Sequence, residues 1–302
     1  MSSATSPTTE AASRLSDFAW IVFAYLVAMG AAWGCVVYFE SSSPLWQAAY
    51  ADIAATFVIF LFSRVFKNSS FYDAYWSVAP PILMVFWWSA DGVVLDARHW
   101  LVGALVILWS VRLTHNWARG WTGLSHVDWR YIDLQNKTGV FFPLVDLFGI
   151  QLFPTLLVFL GTLPLWYLSQ AGAPFGVLDG LWIVIGYAAL WLEFRADNVL
   201  REHRLDATNA GKVLQSDVWS WCRHPNYLGE IGFWLSLGVA GFLATGITLN
   251  WLGIAAMIAL FVGVSIPMID KRQLANKADY ADYRARVPSL IPWPRLGSRD
   301  VK

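Results

Sequence analysis

Five polar side chains crowd into eight positions just ahead of a long apolar stretch: Arg223, His224, Asn226, Tyr227 and Glu230. Pro225 suits the first turn of a helix, and Asn226 and Glu230, four apart, share one face of it. A membrane helix has little reason to open with such a density of polar groups unless a polar molecule binds there. Gly229 permits close backbone approach. A second set lies upstream, where Glu193, Asp197, Arg201 and Arg204 fall on one helical stripe about 80° wide. Carboxylates near the apolar run suit ribose or amide groups of a dinucleotide, and arginines further out suit its phosphates. A row of i,i+4 ion pairs on a solvated face has the same spacing.

A third cluster runs from Arg112 through Arg119 and on to Arg130 and Tyr131, thick with Trp. As a loop it would make a lid over a cofactor: Arg and Trp offer phosphate contacts and ring stacking, and Gly120 and Gly123 offer mobility. The same residues would also serve as an interfacial aromatic belt. The five His include no pair at ligand spacing with a second His or Cys, so no metal site is expected. Cys35 and Cys222 make neither a disulfide framework nor a zinc cluster, and Cys222 reads as a packed thiol.

These clusters hang on apolar elements. Of the 302 residues 57% are hydrophobic and 14% charged, against roughly 25% charged in an ordinary soluble domain. Mean hydropathy is +0.48. Lys and Arg (21) balance Asp and Glu (21), so no net field recruits nucleic acid. The chain is therefore expected to be an all-α integral membrane bundle of about eight helices, capped on one side by loops and short helices. Spans fall at 18–39, 45–63, 74–90, 99–111, 147–169 and 177–192, with a hairpin over 231–269 broken around Thr248 and Asn250. The 99–111 segment is short, and without it seven spans remain. Residues 1–17 read as a disordered tail, 18–295 as one transmembrane domain and 296–302 as a C-terminal tail.

With eight spans, Arg98 alone among the 21 Lys and Arg lies on the far side, which puts both termini in the cytoplasm. Span interiors are nearly free of ionisable groups, Asp52 and Asp179 being the exceptions. No internal repeat favours a transporter. The chemistry gathers at the cytoplasmic ends, beside an apolar chamber.

Arg-His-Pro-Asn-Tyr-Leu-Gly-Glu at 223–230 resembles the signature of the steroid 5-alpha-reductase-like membrane enzymes, a superfamily with sterol reductases and isoprenylcysteine methyltransferases. The likeness, nearest to the bacterial branch, extends from about Phe71. Ala-Asp-Asn-Val-Leu-Arg-Glu-His-Arg at 196–204 is similar to that family's NADPH-binding segment. The ending Asp-Tyr-Arg-Ala-Arg-Val-Pro-Ser-Leu-Ile-Pro from 282 resembles its Asp-Tyr…Leu-Ile-Pro close, which adds Tyr283. The resemblance implies NADPH as cofactor, held by Asp197, Arg204, Asn226 and Glu230, and a bacterial inner membrane as the location. The family's mammalian members carry an early-span Glu that polarises a substrate ketone with a Tyr. The stretch opening Phe71-Tyr-Asp matches it loosely, placing Asp73 at the Glu, with Tyr72 or Tyr75 nearby.

The expected function is therefore NADPH-dependent reduction of a conjugated carbon–carbon double bond in a lipophilic, steroid-like or other enone substrate. Asp73 and Tyr72 are the catalytic candidates. Glu193, Asp197, Arg201, Arg204, Arg223, His224, Asn226, Tyr227, Glu230, Tyr283 and the lid arginines 112, 119 and 130 are the cofactor candidates. Beyond substrate and membrane lipids, nothing in the sequence implies a protein partner. One alternative is an S-adenosylmethionine-dependent methyltransferase of the isoprenylcysteine type. That group usually has a Glu-Glu pair where this chain has the basic run Asp270-Lys-Arg-Gln. Another is a non-catalytic lipid-binding membrane protein.

Overall fold

Proline and glycine punctuate the chain where the helices start and stop. The computed structural model describes residues 7–171 and 173–292, and among these every regular element is helical. Five helical runs are long and apolar enough to cross a membrane: Ser13–Tyr38, Pro44–Val65, Trp129–Leu168, Pro225–Thr245 and Thr248–Asn276. The protein is an all-α membrane protein. By contacts it divides into two compact units, residues 1–94 with 106–169, and residues 95–105 with 170–302.

In the first unit α1 (Pro7–Tyr38) packs on α2 (Pro44–Val65), which opens with Pro44 in its first turn. Because α1 begins at Pro7, most of the stretch expected as a disordered tail is helix. Asp17 on it accepts the backbone N–H of Leu124 at 2.8 Å. A 3₁₀ turn, Ser69–Phe71, leads into α3 (Tyr75–Trp88). Pro81 inside α3 cannot bond the carbonyl of Ser77, one turn back, and Ser110 Oγ donates to that orphan at 2.7 Å. Ser110 lies on α4 (Ala97–Gly120), whose first residues, 97–105, belong to the second unit. The segment 99–111 is thus part of a longer helix, and Arg112 and Arg119 sit on helix, not on a lid loop.

The remainder of the first unit is α5 (Trp129–Thr138), capped by Asp128, the short α6 (Phe142–Val145), a π-helical turn Asp146–Leu152 and α7 (Phe153–Leu168). Arg130 is paired with its own cap, Nε to Asp128 Oδ1 at 2.8 Å and Nη2 to Oδ2 at 3.1 Å. Arg119 bonds Asn116 Oδ1 through Nε and Nη2.

In the second unit α8 (Asp179–Leu205) and α9 (Pro225–Thr245) form the main helix pair. Small residues set their approach. A methyl group at Gly229 would fall 2.3 Å from Glu193 Cγ and 2.9 Å from the Ala189 carbonyl. Gly246, left-handed at φ 69°, ends α9. A 3₁₀ turn over Thr248–Trp251 follows, then α10 (Leu252–Leu260), a π-helical turn Phe261–Ser265, α11 (Ile266–Asn276) and α12 (Tyr280–Arg286). The expected hairpin break near Thr248 is present. Arg98, alone in the charge partition, is buried and grips Asp179 with two bonds, at 2.7 and 2.8 Å. Each of these charges neutralises the other, as burial demands.

Candidate functional site

The second unit carries a cation-lined pocket of about 150 Å³ where the end of α8, the start of α9, α11 and α12 converge. Arg204, Arg223, His224, Asn226, Tyr227 and Tyr283 line it, so six of the expected cofactor residues meet in one place. Trp219, Gln273, Lys277 and Tyr280 also line it and were not anticipated, with apolar residues such as Leu200 and Ile269 between them. Asp197, Arg201, Glu193 and Glu230 belong to the same helix pair but do not line the pocket. Glu193 and Glu230 are buried between apolar neighbours, and Trp234 Nε1 donates to Glu230 Oε1 at 3.0 Å. Gly229 makes room for α8, as the Glu193 contact shows, rather than for a ligand.

Asp270 organises the pocket wall. It takes the Arg223 guanidinium at 2.9 Å and His224 Nε2 at 3.0 Å, and the Tyr280 hydroxyl donates to it. Arg223 also donates to the Val287 carbonyl at 2.8 Å, and the His224 ring stacks on Tyr227 with 5.6 Å between centroids. Tyr283 donates to the Trp219 carbonyl at 2.6 Å, and burial pushes its hydroxyl pKa up. Sequence reasoning missed Asp270 because its partners are 46 and 47 residues away, and no local spacing connects them. Burial pushes the Cys222 thiol up to about 11, in keeping with a packed, unreactive cysteine.

Two further cations, Arg204 and Lys277, line the pocket, Lys277 Nζ donating to the Lys212 carbonyl at 2.8 Å. Burial lowers the Lys277 pKa; the Asp279 charge opposes it, and the smaller repulsion of Arg204 adds to it. Like charges brought together are stabilised by an anion. The start of α9, a long helix whose first turn contains Asn226, adds positive potential on the same side. Like charges gathered at one pocket suit a phosphate-bearing group. A volume of about 150 Å³ is the size of one phosphorylated ribose and too small for a whole dinucleotide. Among the described residues no cluster of His, Cys, Asp or Glu has a metal-binding arrangement.

The first unit holds a different cavity, about 600 Å³ and apolar, bounded by α1, α2 and α3. Ala28, Ala51, Ala55, Leu83 and Phe86 make up much of its wall. Asp52 and Tyr75 stand in that wall, Tyr75 donating to Asp52 Oδ1 at 2.7 Å, while Asp52 Oδ2 is buried without a hydrogen-bond partner. The expected catalytic pair is elsewhere. Neither Asp73 nor Tyr72 lines the cavity: Tyr131 donates to Asp73 Oδ1 at 2.5 Å, and Tyr72 shares a hydrogen bond with Thr155 at 2.8 Å. Nor does Asp73 cap α3, whose cap position is Ala74 with no side-chain bond. Burial pushes the Asp73 carboxyl up to about 6, against the opposing pulls of the Tyr131 hydrogen bond and the Arg130 charge. Arg112, Arg119 and Arg130 belong to this first unit and are not among the residues lining the cation-rich pocket.

A family described as a protein of unknown function, DUF1295, matches residues 59–287. The chain belongs to the DUF1295 family. The matched span includes every residue of the cation-lined pocket and both Tyr75 and Thr155, whereas Asp52 lies ahead of it. This DUF1295 chain is also 27% identical over 252 residues to an uncharacterized protein of Schizosaccharomyces pombe, an alignment covering 75% of this chain and 73% of that one. No solved structure matches it.

Proposed function

We propose that this DUF1295 chain is a membrane-bound, NADPH-dependent oxidoreductase that reduces a carbon–carbon double bond conjugated to a carbonyl in a lipophilic substrate. The observation that carries the reading is the Asp52–Tyr75 pair, an acid and a phenol joined at 2.7 Å in the wall of a large apolar cavity. An enone lipid needs this combination: apolar volume for its body and a hydrogen-bond donor for its single carbonyl. The candidate acid is accordingly Asp52 with Tyr75, replacing Asp73 and Tyr72. Protonated Asp52 donates from its otherwise unpartnered Oδ2 to the carbonyl oxygen, and the pair passes a proton to the enolate that develops.

NADPH, when bound, supplies the hydride to the beta carbon. Arg204 and Lys277 would hold its phosphate and Asn226 and Tyr227 its amide or ribose groups, while Asp270 fixes Arg223 and His224 behind them. The cation pair supports a phosphate-bearing cofactor over S-adenosylmethionine, which carries none. The signature at 223–230 supports the steroid 5-alpha-reductase-like assignment, and the partition of basic residues supports cytoplasmic termini in a bacterial inner membrane. Purified protein in nanodiscs is expected to consume NADPH in the presence of a steroid enone such as progesterone. Asp52→Asn should lower turnover by about 10²–10⁴-fold with NADPH affinity retained. Full turnover in the folded variant would remove Asp52 from the mechanism.

A further inference from the structure

A file of buried polar side chains runs through the first unit from the Asp52–Tyr75 pair toward Arg64, the basic end of α2. The Tyr75 hydroxyl bonds Asp52, and Thr56, one turn further along α2, adjoins it. Thr56 Oγ1 is 2.9 Å from Thr155 Oγ1, and Thr155 Oγ1 is 2.8 Å from the Tyr72 hydroxyl. One helical turn before Thr155 stands Gln151, whose Nε2 donates to Asp146 Oδ1 at 3.1 Å. Asp146 in turn lies 3.6 Å from Arg64, whose side chain is 35% exposed. Thr56, Gln151 and Asp146 are wholly buried, and Asp52, Tyr72 and Thr155 nearly so.

Such a file is costly in an apolar surrounding, and three of its acceptors make no hydrogen bond within the protein, although Asp146 Oδ2 has the Arg64 charge 3.6 Å away. Asp52 Oδ2, Gln151 Oε1 and Asp146 Oδ2 are buried without a hydrogen-bond partner. Buried polar atoms of this kind are normally paired with ordered water or ligand. They fall at the two ends of the file and at its one gap, between Gln151 and Thr155. The gap coincides with the π-helical turn Asp146–Leu152, whose i,i+5 geometry brings Gln151 over Asp146.

We propose that Asp146, Gln151, Tyr72, Thr155 and Thr56 form a proton lane that recharges the Asp52–Tyr75 pair, an inference that rests on the reductase reading for its use in turnover. In each cycle the pair gives one proton to the enolate formed by hydride addition and is left one proton short. Thr56 then gives its hydroxyl proton to the Tyr75 oxygen and takes one from Thr155. Thr155, held in line by Tyr72, is refilled across a water at Gln151, and bulk water at the Arg64–Asp146 end supplies the proton finally consumed. No electron moves along the lane.

The test needs no substrate. Protein labelled with 13Cζ-tyrosine in detergent is transferred to mixed H₂O/D₂O, and hydroxyl exchange at Tyr75, assigned with Tyr75→Phe, is read from the isotope shift. Thr155→Val is expected to slow exchange at Tyr75 at least 10-fold, Gln151→Leu is expected to do the same, and Thr155→Ser is expected to restore it. A purely structural hydroxyl would not give that pattern. Tyr75 exchange in folded Thr155→Val and Gln151→Leu as fast as in the wild type would overturn the lane. In turnover with progesterone, Thr155→Val is expected to lower kcat about 10-fold with KM unchanged and to raise the solvent isotope effect; an unchanged kcat and isotope effect would also overturn it. A wild-type protein that consumes no NADPH would defeat the reductase reading, while the exchange measurement would still decide whether the lane conducts.

Discussion

At the scale of single residues, burial and hydrogen bonding give Asp73 a measurable signature even though it stands outside the cavity. Its carboxyl is pushed by burial from the ordinary 3.8 up to about 6. The folded protein therefore holds this proton more tightly than the unfolded chain. That contribution to stability is fully present below pH 4 and is lost as pH rises through 6. The melting temperature of the wild type relative to Asp73→Asn should fall across that window and level off above it. A difference independent of pH would show that the carboxyl titrates normally. Residue types alone revealed Arg204, Arg223, His224, Asn226 and Tyr227, because polar groups crowding a span boundary are conspicuous; Tyr283 came from the family-like ending of the chain. Asp270 and Lys277 stayed hidden, since their meaning depends on partners distant along the chain. Asp52 was visible as an ionisable residue inside a span, and it is Tyr75, from another helix, that turns it into a pair.

At the scale of elements, small residues decide how closely α8 and α9 approach. Gly229→Ala would put a methyl group against Glu193 and the backbone carbonyl of Ala189, which cannot move aside cheaply. Overpacking of this kind costs about 1–3 kcal/mol, so a clear drop in melting temperature is expected. Gly34→Ala on α1, with nothing within 4 Å, should be neutral or slightly stabilising by reducing unfolded-state freedom. Equal behaviour of the two variants would refute the packing account. Most helices were legible in the sequence as uncharged runs bounded by Pro and Gly, as with Pro44, Pro225 and Gly246. The exceptions share a cause. The early turns of α1 are built from Ser, Thr and Ala, and the end of α4 carries Arg112, His115 and Arg119, so neither shows the apolar signal that betrays a span. Helix continued past the apolar run in both.

At the scale of the whole molecule, the partition of basic residues makes topology a test independent of chemistry. Tags at the two termini should be labelled from the cytoplasmic face, and a cysteine introduced in the 40–43 turn from the opposite face. Termini on opposite faces would refute the partition. The central claim is that the cation-lined pocket holds the phosphate of NADPH. Its direct test is titration of the detergent-solubilised protein with NADPH and with S-adenosylmethionine, followed by energy transfer from Trp to the nicotinamide and by calorimetry. NADPH should bind and S-adenosylmethionine should not, and Arg204→Ala should weaken NADPH by about 10- to 100-fold through loss of a charged hydrogen bond. Binding of S-adenosylmethionine in place of NADPH, or wild-type NADPH affinity in folded Arg204→Ala, would contradict the account.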